Sequence, residues 1–326
     1  MDAAMREYDV AGGPGASIAV VRGGTVAYVR AYGLADLETR TAAAPPTSYR
    51  LASLTKHITA AAVVRLVRDG RLAYDDAIGD LLPGLPDYAK RATVRQLLTH
   101  TSGLPDYETY VPDDAPYQVN DADVPALLRR APGPLSPAGT AFRYSNTGYA
   151  LLALIVEQRA GTDFTRHLDE RFFRPLGLRS MVAHVEGRTT VPNRAWGYSA
   201  ASPGWRRTDQ SPTSAVLGDG GVYASVEDLA RWLIALDEGQ VLTREEQELA
   251  LTPAGLPDGA DTPYGFGWFV DREGDRVRAW HHGETVGFTN GVVRYPAARG
   301  AVVILTNRTG GEPWAAAGRI AARLFR

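Results

Sequence analysis

The sequence predicts an α+β fold. An antiparallel sheet of about five strands, drawn from both ends of the chain and flanked by helices, surrounds an inserted, mostly helical region. Three observations predict it. Stretches rich in β-branched and aromatic residues gather near the start (17–21 and 25–29) and near the end (265–270, 276–281, 289–295 and 301–306). Between about 73 and 220, helical periodicity alternates with long Pro/Gly loops and strand signals are scarce. A helix expected over 53–69 leads from one part into the other. The division is then 1–72 with 218–326 for the sheet and 73–217 for the insertion.

In order, residues 2–9 read as a short helix broken by Gly12-Gly13-Pro14-Gly15. Arg22-Gly23-Gly24 turns the first two strands into a hairpin. After Pro45-Pro46 comes the 53–69 helix, with Gly70 placed to stop it. Residues 93–100 form a short amphipathic helix that ends in the turn Thr101-Ser102-Gly103-Leu104-Pro105, and 107–116 is loop. A helix over 146–159 carries Tyr149, Leu152, Ile155 and Val156 on its apolar positions and ends at Gly161. Another covers 163–173, whereas 184–217 yields no clear element. Gly218-Asp219-Gly220-Gly221 marks a tight backbone passage, and Ser225-Val226-Glu227-Asp228 opens a helix in capping-box fashion. Turns at Gly274 and 296–300 separate the late strands, and an amphipathic helix over 313–325 closes the chain.

Composition narrows the function. With 326 residues, 44% of them hydrophobic, the chain can bury a substantial core. A net charge of −2 with no basic stripe gives nucleic-acid binding no electrostatic support. The absence of cysteine removes disulfides, thiol catalysis and cysteine-ligated zinc. The six histidines lack zinc-ligand spacing, so neither metal nor cofactor is expected, and no apolar run is long enough to span a bilayer. The first residues are not a signal peptide, which predicts a cytoplasmic protein, or a periplasmic or secreted one if a leader has been removed. Oligomeric state leaves no trace.

The chemistry starts at Ser53-Leu54-Thr55-Lys56. Three residues apart on a helix, Ser53 and Lys56 share a face. A serine hydroxyl needs a base to become a nucleophile, and a neutral lysine amine can be that base. The helix start favours a developing oxyanion and disfavours an ammonium. The bland alternative is a serine cap followed by a surface lysine. Against it, the chain has 35 Lys+Arg but only two lysines, Lys56 and Lys90. Arginine cannot serve as a base, so lysine here suits a need for a titratable amine. Tyr144-Ser145-Asn146 reads either as a capped helix start or as a phenol poised to carry a proton, with an amide to hold substrate or lysine. His281-His282-Gly283 ends a strand, so at most one of the two histidines faces a given cleft.

Together, Ser-x-x-Lys early, Tyr-x-Asn in the middle and His-x-Gly on a late strand resemble the serine β-lactamase and penicillin-binding protein superfamily. The branch that this chain is similar to holds class C β-lactamases, D,D-peptidases, D-aminopeptidases and family VIII esterases. Residues 97–104 and 218–223 look like that branch's structural signatures, and the resemblance runs from about Gly15 to Asn307. It implies the β-lactamase/transpeptidase-like fold and a set of roles. Ser53 would be the acylated nucleophile, Lys56 its base and Tyr144 the proton relay. Asn146 would orient substrate and lysine, and His281 would hydrogen-bond Tyr144 and contact substrate. The N–H groups of Ser53 and of Glu284, which follows Gly283, would form the oxyanion hole. The chain departs from the pattern where the third motif often starts with lysine: His281 stands there, and Glu284 adds a negative charge. Esters or uncharged D-amino-acid derivatives are therefore expected ahead of penicillins, as small-molecule or peptide-like substrates. A β-lactamase proper and a penicillin-binding sensor without turnover are the alternatives. A histidine triad through His100 and Ser102 is a weaker one, because no Gly-x-Ser-x-Gly is present.

Overall fold

The computed structural model describes residues 2–273 and 276–325, so the turn expected at Gly274 lies outside the described residues. Six strands, where about five were expected, form the principal sheet. They are β1 (Ala16–Arg22), β2 (Thr25–Tyr32), β3 (Phe269–Glu273), β4 (Arg276–Thr285), β5 (Phe288–Tyr295) and β6 (Gly300–Thr306). Their order is β3-β4-β5-β6-β1-β2, antiparallel throughout. The two ends of the chain meet where β1 pairs with β6, Ile18 opposite Ile304. All of β5 and β6 is buried, because both faces of the sheet are covered. Alternation assigns the faces: Ile18, Val20, Val302 and Ile304 pack with Tyr8 and Ala317 in one cluster, whereas Ala19, Val21, Val303 and Leu305 join the larger one.

Four helices frame the sheet and insertion: α1 (Lys56–Arg68), α2 (Asn146–Ala160), α3 (Val226–Asp237) and α4 (Pro313–Leu324). Gly161 ends α2 in the left-handed conformation, as a glycine there can without strain. Ser225 caps α3 by accepting from the Asp228 N–H. Two expectations need correction, and one unread stretch takes shape. The helix expected to begin at Ser53 starts one residue earlier, as the tighter turn Ala52–Thr55 that runs into α1. The strand expected from 265 starts only at Phe269, because Gly265 and Trp268 close a turn, with the Gly265 N–H donating to the Trp268 carbonyl. In the unread stretch 184–217, Tyr198–Ala200 and Trp205–Arg207 form a small hairpin.

Candidate active site

The segment before Ser53 is held on several sides. Arg50 pairs with Tyr223, and the Leu51 N–H donates to the Val222 carbonyl at 2.8 Å. The Asn290 amide of β5 donates to the carbonyls of Arg50, at 2.8 Å, and Leu51, at 3.3 Å. Ala52 is thereby forced to φ +50°, a left-handed conformation that costs a side-chain-bearing residue about 1–2 kcal/mol. Such strain persists only where the surroundings over-determine it, and here it presents Ser53, half-buried, at the head of the helix.

Lys56 is fully buried one turn on. Its Nζ lies 2.9 Å from Ser53 Oγ, 2.8 Å from Asn146 Oδ1 and 2.9 Å from the Asp219 carbonyl. An amide oxygen and a carbonyl can only accept, so they take two N–H groups. A neutral amine with those two bonds made has one lone pair left, and the third partner is the Ser53 hydroxyl. Asn146 is anchored through its backbone N–H, which donates to Asp106 Oδ2 at 2.7 Å. The rings of Tyr144 and Tyr149 lie 5.1 and 5.6 Å from Nζ. Tyr144 is half-buried against the His100 ring, 4.3 Å away.

His281 and His282 point to opposite faces of β4. His282 sits 5.4 Å from the Trp314 ring of α4, while His281 is buried on the Lys56 side. Its Nδ1 lies 2.6 Å from the His282 carbonyl, which can only accept, so Nδ1 carries the hydrogen. Nε2 then accepts from the Tyr264 hydroxyl at 2.9 Å. The hydrogen bond expected to Tyr144 is not made; the Tyr144 and His281 ring centres are 6.1 Å apart, and Tyr264 takes that place. Burial above all, reinforced by Lys56 whenever that amine is protonated, holds the His281 ring well below the ordinary histidine range, so it is neutral.

Gly283 brings β4 against the nucleophile turn. A Cβ there would lie 2.2 Å from the Leu51 carbonyl oxygen, so the close approach requires glycine. The next residue, Glu284, is exposed. His100 and Ser102 do not pair. His100 Nδ1 accepts from the Ser145 N–H, and Ser102 Oγ accepts from the Leu104 N–H.

Sequence reasoning missed three neighbours. The Asp219 side chain accepts from the Tyr107 hydroxyl at 2.8 Å, and burial raises its carboxyl to about 8 despite Lys56. Tyr264 stands in a stretch read as the approach to a strand. Glu108, on the turn Tyr107–Tyr110, lies within reach of Asn146 and the field of Lys56. Much of its side chain is in solvent, yet crowding by the chain around the carboxyl, followed by repulsion from Asp106, raises its pKa. The Gly-Asp-Gly-Gly run was the one signal for Asp219; Glu108 lies in the loop 107–116, which could be read as a pocket wall but not residue by residue, and Tyr264 left no signal.

The fold is β-lactamase/transpeptidase-like, with a serine and a buried lysine in contact where sheet and helices meet. A sequence profile of the beta-lactamase family matches residues 1–325, and the chain belongs to that family. It is 29% identical to penicillin-binding protein 4* of Bacillus subtilis (strain 168) over 309 residues, 90% of this chain and 68% of that protein. It is 30% identical to the D-aminopeptidase of Brucella canis over 284 residues, 85% of this chain and 53% of that enzyme. The chain thus spans about half the length of the D-aminopeptidase. Among solved structures, it is similar to the penicillin binding protein from Bacillus halodurans, with 26% identity, a TM-score of 0.85, and 99% of this chain and 98% of that one covered. It is also similar to D-amino acid amidase from Ochrobactrum anthropi SV3 complexed with L-phenylalanine amide, with 26% identity, a TM-score of 0.80, and 98% and 93% coverage. Among the described residues, no helix is long and apolar enough to cross a membrane.

Proposed function

We propose that the protein is a serine hydrolase that works through an acyl-enzyme on an amide or ester of D-amino-acid type. The observation that carries this reading is the buried Lys56 amine, with two acceptor-only partners and the Ser53 hydroxyl as its third. In the proposed sequence Lys56 takes the Ser53 proton as Oγ attacks the substrate carbonyl. The N–H groups of Ser53 and Glu284 receive the oxyanion, each such donor being worth about 2.7–4 kcal/mol. Tyr144 passes a proton to the leaving group, and a water activated by the same groups releases the acid. Asn146 orients the lysine and the substrate, and Gly283 permits the approach of the oxyanion strand. His281, neutral and with both ring nitrogens occupied by the protein, contributes shape rather than charge.

The substrate class rests on charge. Glu108 is exposed beside Asn146 and Lys56, and the nearby His281 is neutral, whereas the Glu284 side chain points with His282 to the other face of β4. A carboxylate at the position of Glu108 favours a free α-ammonium and repels a substrate carboxylate. The D-aminopeptidase and D-amino acid amidase relatives support the same class.

The test is a panel of D- and L-alanyl p-nitroanilides, p-nitrophenyl acetate and butyrate, and nitrocefin, with mass spectrometry of a fluorophosphonate adduct. Labelling of Ser53 alone and turnover of the D-anilide or the short esters ahead of nitrocefin are expected. An adduct on Ser102 or Ser145, or full turnover by Ser53→Ala, overturns the serine hydrolase; efficient nitrocefin hydrolysis with negligible activity on the rest makes it a β-lactamase.

A further inference from the structure

The carbonyl that Lys56 uses belongs to a strap, residues 217–222, pinned at nearly every backbone group. The Thr59 hydroxyl donates to the Gly218 carbonyl at 2.7 Å, and Arg50 donates to the Gly220 carbonyl at 3.2 Å. The Val222 N–H donates to Thr55 Oγ1 at 3.2 Å. These pins come from the nucleophile side. The inserted region holds the other end: the His184 N–H donates to the Gly221 carbonyl at 3.0 Å, and Asp121 takes the first two amides. Asp121 Oδ2 accepts from the Leu217 N–H at 2.8 Å, and its Oδ1 accepts from the Gly218 N–H at 3.0 Å. Asp121 is itself buried. Its segment is laced to the chain leading into the strap: the Val119 N–H donates to the Pro212 carbonyl at 2.8 Å, and Asn120 bridges to Ala215.

A carboxylate is the side chain that can accept from two consecutive amides at once. Asparagine at this position would turn an NH₂ group toward one of them, donor against donor. The burial of Asp121 is costly unless those bonds are made, and burial raises its carboxyl to about 7 against the lowering effect of the two amides. The cost has a return in geometry. Gly218 and Asp219 are adjacent, so a shift of the amides that Asp121 grips moves the Asp219 carbonyl, and with it one of the two acceptors that aim the Lys56 lone pair.

We propose that Asp121 is a positioning residue for acylation: by gripping the amides of Leu217 and Gly218 it fixes the Asp219 carbonyl that orients the Lys56 amine toward Ser53. This rests on Lys56 being the base. Asp121 touches neither substrate nor reacting atoms and acts through the strap.

The test is a double-mutant cycle read as the rate at which a fluorophosphonate labels Ser53 in the full chain, buffered alkaline of the Asp121 carboxyl. The proteins are wild type, Asp121→Asn, Lys56→Met and the double variant, each checked by thermal melting. A misplacement of about 1 Å costs up to about 10²-fold, so Asp121→Asn is expected to slow labelling by about 10-fold or more. With Lys56→Met already present, the same change should cost less than about twofold, because nothing is left to aim. A merely structural clamp would cost the same factor in both backgrounds, and that result overturns the proposal. So does wild-type labelling by Asp121→Asn, which leaves the Lys56 assignment standing if Lys56→Met is slow. Unimpaired labelling by Lys56→Met removes the base role, and this proposal with it. Should Asp121→Asn fail to fold, Thr59→Val removes the hydroxyl that pins the same strap at Gly218 and carries the same pair of expectations.

Discussion

Adding one methyl group at Gly283 should separate the two halves of the proposed oxyanion hole. A Cβ there would stand 2.2 Å from the Leu51 carbonyl oxygen, and 3.3 Å from both the Leu51 carbonyl carbon and Leu54 Cγ. Ordinary carbon–oxygen contacts begin at about 3.3 Å, so the strand and the nucleophile turn must part by about 1 Å. Neither side yields easily. Leu51 is tied to Val222 and Asn290, and β4 is paired with β5 through Thr285. Overpacking of this kind costs about 1–3 kcal/mol of stability. The larger effect is on rate: a shift of about 1 Å between the N–H groups of Ser53 and Glu284 is worth about 10²-fold. The assay is kcat/KM on a p-nitrophenyl ester for Gly283→Ala, with melting to establish that the variant is folded. Gly133→Ala serves as the control, since a Cβ there meets nothing within 4 Å. A folded Gly283→Ala enzyme within threefold of wild type would refute the reasoning, because the site would then tolerate a displaced oxyanion strand or form its hole elsewhere.

Tyr144→Phe removes a hydroxyl and keeps the ring on His100; a proton relay predicts a kcat loss of about 10²–10⁴, and near-normal turnover by the folded variant would move that role elsewhere. Lys56→Arg and Lys56→Met should both slow fluorophosphonate labelling by about 10² or more, and rapid labelling of the arginine variant would remove lysine from the base role. Acid should destabilise the fold between about pH 6 and 4. Buried His57 and His167, held down to about 3 and about 4, and His100 and His281, held well below the ordinary value of 6.5, take up four protons on unfolding near pH 5. Asp121 and Asp219, raised to about 7 and about 8, release two, so these groups together bind 4 − 2 = 2 protons more in the unfolded chain. Stability then falls by about 2–3 kcal/mol per pH unit as the pH drops through 5, and a melting temperature higher at about pH 5 than at about pH 7 would contradict the account.

What could be read from the sequence was what a short stretch decides. The Ser53–Lys56 contact follows from helical spacing, and the opposed faces of His281 and His282 follow from strand alternation. Strands β1, β5 and β6, drawn from both chain ends, were legible because their apolar runs are buried on both sides. The partners of those side chains were not legible. Any residue could supply the carbonyl at 219, since the backbone oxygen is the same in all of them. Tyr264 reaches His281 across a turn that resembled a strand, with Gly267 at φ +78° lying against Lys56 and His57. Gly283 read as the end of a strand, yet β4 continues through it to Thr285, because this glycine serves close approach rather than a turn. Asp121 and Leu217 are 96 positions apart, and no local pattern connects them.

The use of cations in this chain acquires a physical reason at Lys56. Of the 35 Lys+Arg residues, all but Lys56 and Lys90 are arginine. Lys90 is on the surface, paired with Asp87, where arginine would do as well. Arginine also supplies buried cations: Arg50 is buried and spends its donors on the carbonyls of Ser214 and Gly220. Burial and positive charge therefore do not by themselves call for lysine. The site at Lys56 differs in its partners. Two acceptors and one hydroxyl surround Nζ, a set that the ammonium satisfies with three donated bonds and the neutral amine with two donated and one accepted. The amine can therefore gain and lose a proton without leaving a partner unmatched, provided that the third partner is a hydroxyl able to donate or accept, which Ser53 is. A planar guanidinium has five donors and no lone pair to offer, so it could bind there as a charge but could not complete the exchange.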